Sequence, residues 1–189
     1  MKKNIEKSQI KKIIQCMDSD EEIIEFMELL EDKDYKDVCV ESARLLKNEE
    51  NVMHIIKKIN YDTTYSCNII SYLKSEDNLM EIIRQTIKGS PCSNLVYGNG
   101  IGRVTSEKNI LEIIEKSEYD KRVCRSGIKR LKSKKIILDI MKKVDYDDFV
   151  CEAALERIEK IKEIERAKEK LEELKQEIIE IETEFENES

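Results

Sequence analysis

Six cysteines, one histidine, a basic stretch and a glycine-rich stretch are the residues of this chain whose types could do chemistry. The cysteines are Cys16, Cys39, Cys67, Cys92, Cys124 and Cys151, spaced by 23, 28, 25, 32 and 27 residues. None belongs to a C-x-x-C pair, which argues against a zinc ribbon or a dithiol redox site. With one Pro and five Gly in 189 residues, the chain has too few turns for a small disulfide framework. They read as reduced, buried thiols of a cytoplasmic protein. His54 is the sole histidine, so a site built from several histidines is excluded. It sits beside Ile55 in a helical pattern and reads as a surface or groove residue rather than half of a Cys–His nucleophile. The chain therefore reads as a non-enzyme, with no catalytic residue, no cofactor and no metal ligand assigned.

Charge is the other chemical signal. Lys and Arg number 34 and Asp and Glu 41, a net charge of −7 with 40% of residues charged. An acidic total argues against indiscriminate binding to nucleic acid or acidic membrane. The distribution is uneven: residues 18–37 hold ten acids and two bases, and residues 120–135 hold eight bases and one acid. In the basic stretch Arg122, Arg125, Lys129 and Lys132 follow helical spacing, and Arg130, Lys134 and Lys135 extend the patch. It is either an anion surface for a phosphate backbone or acidic partner, or an outer helix face offset by acids such as Glu118, Asp145 and Asp148. The glycine-rich stretch, 97–109, holds Gly98, Gly100 and Gly102, with the only proline, Pro91, upstream. G-x-G-x-x-G is not matched and no strand precedes it, so it is not a dinucleotide fingerprint. It is either a mobile rim loop or, as we favour, a bulged junction between repeats.

The elements that carry these residues repeat. Tyr61-Asp62 and Tyr119-Asp120 each open a segment that reaches Leu-Lys-Ser and closes on an apolar pair. The pairs are Ile55-Ile56, Ile82-Ile83, Ile113-Ile114 and Ile140-Met141, with Leu29-Leu30 fitting one unit earlier. A unit of about 27 residues signals a stacked array. Each unit reads as two short helices. Val123, Cys124, Ile128 and Leu131 form the apolar stripe of a first helix that Asp120 caps. Tyr119 before that cap and Cys124 after it hold the positions of a hydrophobic staple, and Tyr146 and Cys151 repeat the relation. The second helix starts after Ser75, Ser106 or Ser133, and Ser19 with Glu22 forms a capping-box pattern. Such hairpins cannot bury their apolar faces alone, so neighbours must stack.

From about residue 8 to 160 this pattern resembles a HEAT-like α-solenoid, and V-C-x-x-x-I-x-x-L at 123–131 is similar to leucine-rich-repeat-variant arrays. The resemblance implies an all-α, right-handed solenoid of about five two-helix repeats over 1–151, a curved scaffold that holds a protein or, less often, a nucleic acid. HEAT-type diiron hydroxylases need several His-Glu pairs, and HEAT-like DNA glycosylases an aromatic-lined cleft; one His and no Trp leave neither. The iron–sulfur cluster of one variant array needs a cysteine cluster that is missing here.

Residues 148–186 contain no helix breaker and predict one long helix, with 152–189 as a charged, coiled-coil-like tail. Leu155, Ile158, Ile161 and Ile164 are expected to pack on the last repeat. Ile164, Ala167, Leu171, Leu174, Ile178, Ile181 and Phe185 then alternate steps of three and four, an a/d seam that wants a partner helix. Parallel pairing sets Lys170 against Lys175 and Glu177 against Glu182. Antiparallel pairing about Leu171 and Leu174 sets Lys170 near Glu177 and Lys168 near Glu182, but brings Lys175 onto its own copy and Glu163 near Glu184. The helix is thus an antiparallel or heteromeric coil, or a cap lying along the solenoid. No stretch is long and apolar enough to span a membrane, and no secretory signal is read at the start. The expected function is a protein-binding scaffold, adaptor or inhibitor; the alternative is a nucleic-acid-binding protein using 121–135.

Overall fold

Every regular element among the described residues is helical, as the 3.6-residue spacing of the apolar positions requires. The computed structural model describes residues 7–30, 32–87, 89–90 and 92–187, with the side chains at 7, 32–34, 37 and 181–187 excepted. The helices are α1 (Lys7–Gln15), α2 (Asp20–Leu29), α3 (Asp32–Leu45), α4 (Glu49–Lys58), α5 (Thr63–Ile69) and α6 (Glu76–Gln85). They continue as α7 (Ser93–Ile101), α8 (Glu107–Lys116), α9 (Lys121–Ile128), α10 (Lys134–Lys143) and α11 (Asp148–Asn187). A 3₁₀ turn, Ile70–Tyr72, extends α5.

The even-numbered helices begin after Ser19, Asn48, Ser75, Ser106 and Ser133, at steps of 29, 27, 31 and 27 residues. The hydroxyls of Ser75 and Ser133 accept from the third following amide, that of Asn78 or Ile136, and so satisfy one open N–H of the first turn. Ser19 does the same for Glu22, at 3.2 Å, while the Glu22 carboxylate reaches back to the Asp18 amide, one residue short of a reciprocal capping box.

Seven and eight residues after four of these caps fall the apolar pairs, buried in every case: Ile55-Ile56, Ile82-Ile83, Ile113-Ile114 and Ile140-Met141. Each such side chain contributes about 1.5–3 kcal/mol on leaving water. In α2 that offset selects Phe26-Met27, not Leu29-Leu30: Met27 is fully buried, whereas Leu29 is 82% exposed. A shift of three residues is nearly one helical turn, so both pairs lie near one face in the sequence pattern.

The odd helices α5, α9 and α11 start at Asp62, Asp120 and Asp147, whose carboxylates accept from Thr64, from Arg122 and Val123, and from Val150. The tyrosine before each of these caps has an earlier duty. Tyr61, Tyr119 and Tyr146 donate their amides to Ile56, Ile114 and Met141, five residues back, and Asn60, Glu118 and Asp145 donate to Lys57, Glu115 and Lys142. That is the Schellman closure of α4, α8 and α10. It places both residues of each pair at φ between 51° and 58°, a left-handed conformation that glycine usually takes. The tyrosines therefore end one helix as well as preceding the next. Tyr146 is 57% exposed and makes no buried staple.

Contacts divide the chain into two compact units, Met1–Gly127 and Ile128–Ser189. In the first, α1 packs on α3, α3 on α5 and α5 on α7, while α2 and α4 pack on α3, and α6 and α8 on α7. The glycine-rich stretch is helical at both ends and a connection only over 102–106: Gly98 and Gly100 lie inside α7 between Tyr97 and Ile101, which are buried, and Gly102 opens the link to α8. A Cβ on Gly100 would stand 2.5 Å from Ile83 Cδ1, so the glycine lets α7 approach α6 closely. Pro91 lies outside the described residues. In the second unit α10 packs on α11, whose buried side chains are Val150, Ala153, Ala154 and Ile161. Leu155 points to solvent at 61% exposure, so the packed face of α11 is rotated from the predicted 155/158/161/164 set.

Candidate functional site

One polar motif recurs through the first unit. Asp20, near the start of α2, accepts from the backbone amides of Lys47 and Asn48 and from the Asn51 side chain. Glu49 of α4 does the same for Lys74, Ser75 and Asn78. Glu76 of α6 accepts from the Thr105 amide and hydroxyl, the Ser106 amide and the Asn109 side chain, at 2.6–3.1 Å. Each carboxylate thus holds the entry of the next even helix, where open N–H groups and the helix dipole favour negative charge.

These donors shift the acids. Thr105 foremost, then the other donors, brings Glu76 down to about 2. Burial works against the charged forms of Asp20 and Glu49, yet the bonds from the next helix outweigh it and both titrate below the ordinary carboxylate range.

The far ends of the same helices are joined by ion pairs. Glu28 of α2 pairs with Lys58 of α4 at 2.7 Å and is hydrogen-bonded to the His54 Nε2 at 2.8 Å. Lys57 meets Glu81 of α6 at 3.2 Å, and Tyr61 donates to the same carboxylate. Arg84 grips Glu112 of α8 with two nitrogens, at 2.7 and 2.9 Å. Lys58 and Lys116 also donate to the Met27 and Arg84 carbonyls. Exposed pairs of this kind contribute roughly 0–1 kcal/mol each, so their main effect is to fix register. His54 is accounted for by this contact, half-exposed on a helix surface.

The basic residues divide between the units. Arg122 and Arg125 lie on α9 in the first. α9 ends at Ile128, so Lys129, Arg130 and Lys132 belong to the following connection rather than to a continuing helical stripe. Lys134 and Lys135 open α10. Arg122, Lys129, Lys132 and Lys135 are exposed, whereas Arg125, Arg130 and Lys134 are half-buried. Lys134 pairs with Glu165 of α11, and Arg125, Arg130 and Lys132 have partners of their own.

The apolar seam is the largest unmatched feature of the second unit. Ile164, Leu171, Leu174 and Ile178 are 49%, 54%, 46% and 54% exposed along α11. Every described side chain from 163 onward is exposed. At the base of the seam a hollow of about 310 Å³ is lined by Lys132, Arg157, Ile161, Ile164, Glu165 and Lys168. Arg157 is committed there, donating to the Leu131 carbonyl at 2.7 Å. Ile181 and Phe185 lie outside the described side chains.

The cysteines are all free thiols of unequal burial. Cys39, Cys67 and Cys124 are buried, Cys92 and Cys151 are half-buried, and Cys16, at the end of α1, is exposed rather than sealed inside. Burial, with Asp120 second, pushes Cys124 up to about 12, which keeps it a thiol at neutral pH. No cluster of three or more His, Cys, Asp or Glu suited to a metal occurs among the described residues. No described helix is long and apolar enough to cross a membrane. Compared with known proteins, the chain matches no family model, no curated protein and no solved structure.

Two features escaped the sequence reading. The carboxylate motif is visible in retrospect as Asp or Glu directly after the cap, with Asn two residues later, at 48–51, 75–78 and 106–109. The paired left-handed residues carried little signal: Asn60 and Asp145 are types that tolerate this conformation, but Glu118 and the three tyrosines are not.

Proposed function

We propose that the chain is a non-enzymatic protein-binding scaffold, an adaptor or inhibitor. In this reading residues 1–151 form a right-handed α-solenoid of about five HEAT-like hairpins, and 152–189 form a helical arm for a protein partner. Support for the array comes from the carboxylate motif at Asp20, Glu49 and Glu76, which braces α2 against α4, α4 against α6 and α6 against α8. The observation that carries the binding role is the half-exposed row Ile164, Leu171, Leu174 and Ile178. A helix that presents an apolar seam at 3–4 spacing gains by covering it. A cytoplasmic setting fits six free thiols.

A second reading, nucleic-acid binding through 121–135, is favoured by the exposure of Arg122, Lys129 and Lys135. The net charge of −7 weighs against it.

The test is affinity capture from the native host with the tagged chain and with a Leu171→Glu/Leu174→Glu/Ile178→Glu variant, both before and after nuclease treatment. The scaffold reading expects protein partners that survive nuclease and are lost with the variant. Partners released by nuclease and by Arg122→Glu/Lys129→Glu, and indifferent to the seam, would establish the second reading instead.

A further inference from the structure

The seam on α11 has a charge pattern that selects its occupant. We infer that the seam pairs with α11 of a second copy, antiparallel, with Leu174 set against Ile178 of the copy. This rests on the reading of α11 as a partner helix. The helix is continuous from Asp148 to Asn187, so heptad positions carry through from Ile164 to the end.

Flanking charges decide between arrangements. A parallel pair sets Lys170 against Lys175 and Glu177 against Glu182. An antiparallel pair with Leu171 against Leu174 matches Lys170 with Glu177. At 1.5 Å per residue, however, it leaves Lys168 about 3 Å along the axis from Lys175 of the copy and about 7.5 Å from Glu182. The Lys168–Glu182 match expected from the sequence therefore belongs to a different register, one heptad along.

In that register Leu174 lies level with Ile178, Leu171 with position 181 and Ala167 with position 185. Lys168 and Lys170 then flank positions 182 and 184, both Glu, and two-fold symmetry makes each match twice. Its like-charge contacts are Lys175 and Glu177, each facing its own copy. Lys175 is already paired with Glu172 of its own helix at 3.2 Å, which softens the first. Lys168 and Lys170 make no ion pair among the described residues and are exposed, ready for an outside carboxylate.

The test uses the full chain in sedimentation equilibrium, with circular dichroism to check folding. A reversible monomer–dimer equilibrium is expected. Lys168→Glu/Lys170→Glu should weaken it about tenfold or more, as four favourable flanking pairs turn repulsive. Adding Glu182→Lys/Glu184→Lys to the same chain should restore it, because both partners of each pair are then reversed. A wild-type chain that stays monomeric, or a dimer indifferent to the first variant or not rescued by the second, would overturn the inference. Loss of self-pairing leaves the scaffold reading to stand or fall on whether the Leu171/Leu174/Ile178 variant loses captured proteins.

Discussion

The side-chain amide of Asn109 donates to the Glu76 carboxylate at 2.6 Å, and the two residues open different helices. Glu76 stands at the first position of α6 and Asn109 at the third of α8, so one short bond crosses from one even helix to the next. The same geometry links Glu49 to Asn78 at 2.8 Å and Asp20 to Asn51 at 3.2 Å.

Removing that carboxylate should cost stability. Glu76→Ala leaves two backbone amides and an Asn side chain without their acceptor, and is expected to destabilise by about 1–3 kcal/mol. Asp77→Ala, at the exposed neighbouring position, should stay within about 0.5 kcal/mol. Urea unfolding of both variants checks the contrast.

Acid should unfold the protein through the same groups. Asp20, Glu49 and Glu76 titrate lower folded than unfolded, so the folded state holds fewer protons, and stability falls as pH drops below the ordinary carboxylate range. For Glu76 the loss runs from its usual value down to about 2. Glu76→Gln should therefore flatten the acid limb of urea midpoint against pH. An unchanged slope would mean that Glu76 is not held as an anion.

The helical class, the caps at Ser75, Ser133, Asp62, Asp120 and Asp147, and the long α11 are legible because each rests on local spacing. The bonds between successive even helices are not. An acid in a first helical turn is explained by the helix dipole alone, so nothing local marks Glu49 or Glu76 as reaching another helix. The spacing points to Leu29-Leu30 where the core takes Met27, because one turn along a helix changes the facing little and only packing decides which turn is buried. Gly98 and Gly100 looked like a junction because glycine disfavours helix; the need for close approach to Ile83 is a tertiary fact. The basic stripe failed as one helical face because α9 ends at Ile128.

The glycines should respond in opposite ways to alanine. Nothing lies within 4 Å of a Cβ on Gly98, so Gly98→Ala should stabilise α7 by up to about 1 kcal/mol. On Gly127 a Cβ would meet Ile114 Cδ1 at 2.7 Å, Ile101 Cδ1 at 2.8 Å and Ile110 Cγ2 at 3.1 Å. Gly127→Ala should destabilise by about 1–3 kcal/mol through overpacking. Thermal or urea unfolding reads both.

Thiol chemistry should follow burial. Under native conditions a thiol-reactive reagent is expected to label Cys16 first and Cys92 and Cys151 more slowly. Cys39 and Cys124, fully buried, should react only at the rate of unfolding. Peptide mapping by mass spectrometry after timed labelling gives the order.

Mutual bracing of α6 and α8 is tested most directly by a double-mutant cycle on Glu76→Ala and Asn109→Ala, followed by urea unfolding. If the two side chains bind each other across the two helices, the double variant should be less destabilised than the sum of the singles, with a coupling of about 1–2 kcal/mol. Additive losses, with no coupling, would contradict the bracing of α6 against α8 and with it the support for a stacked array.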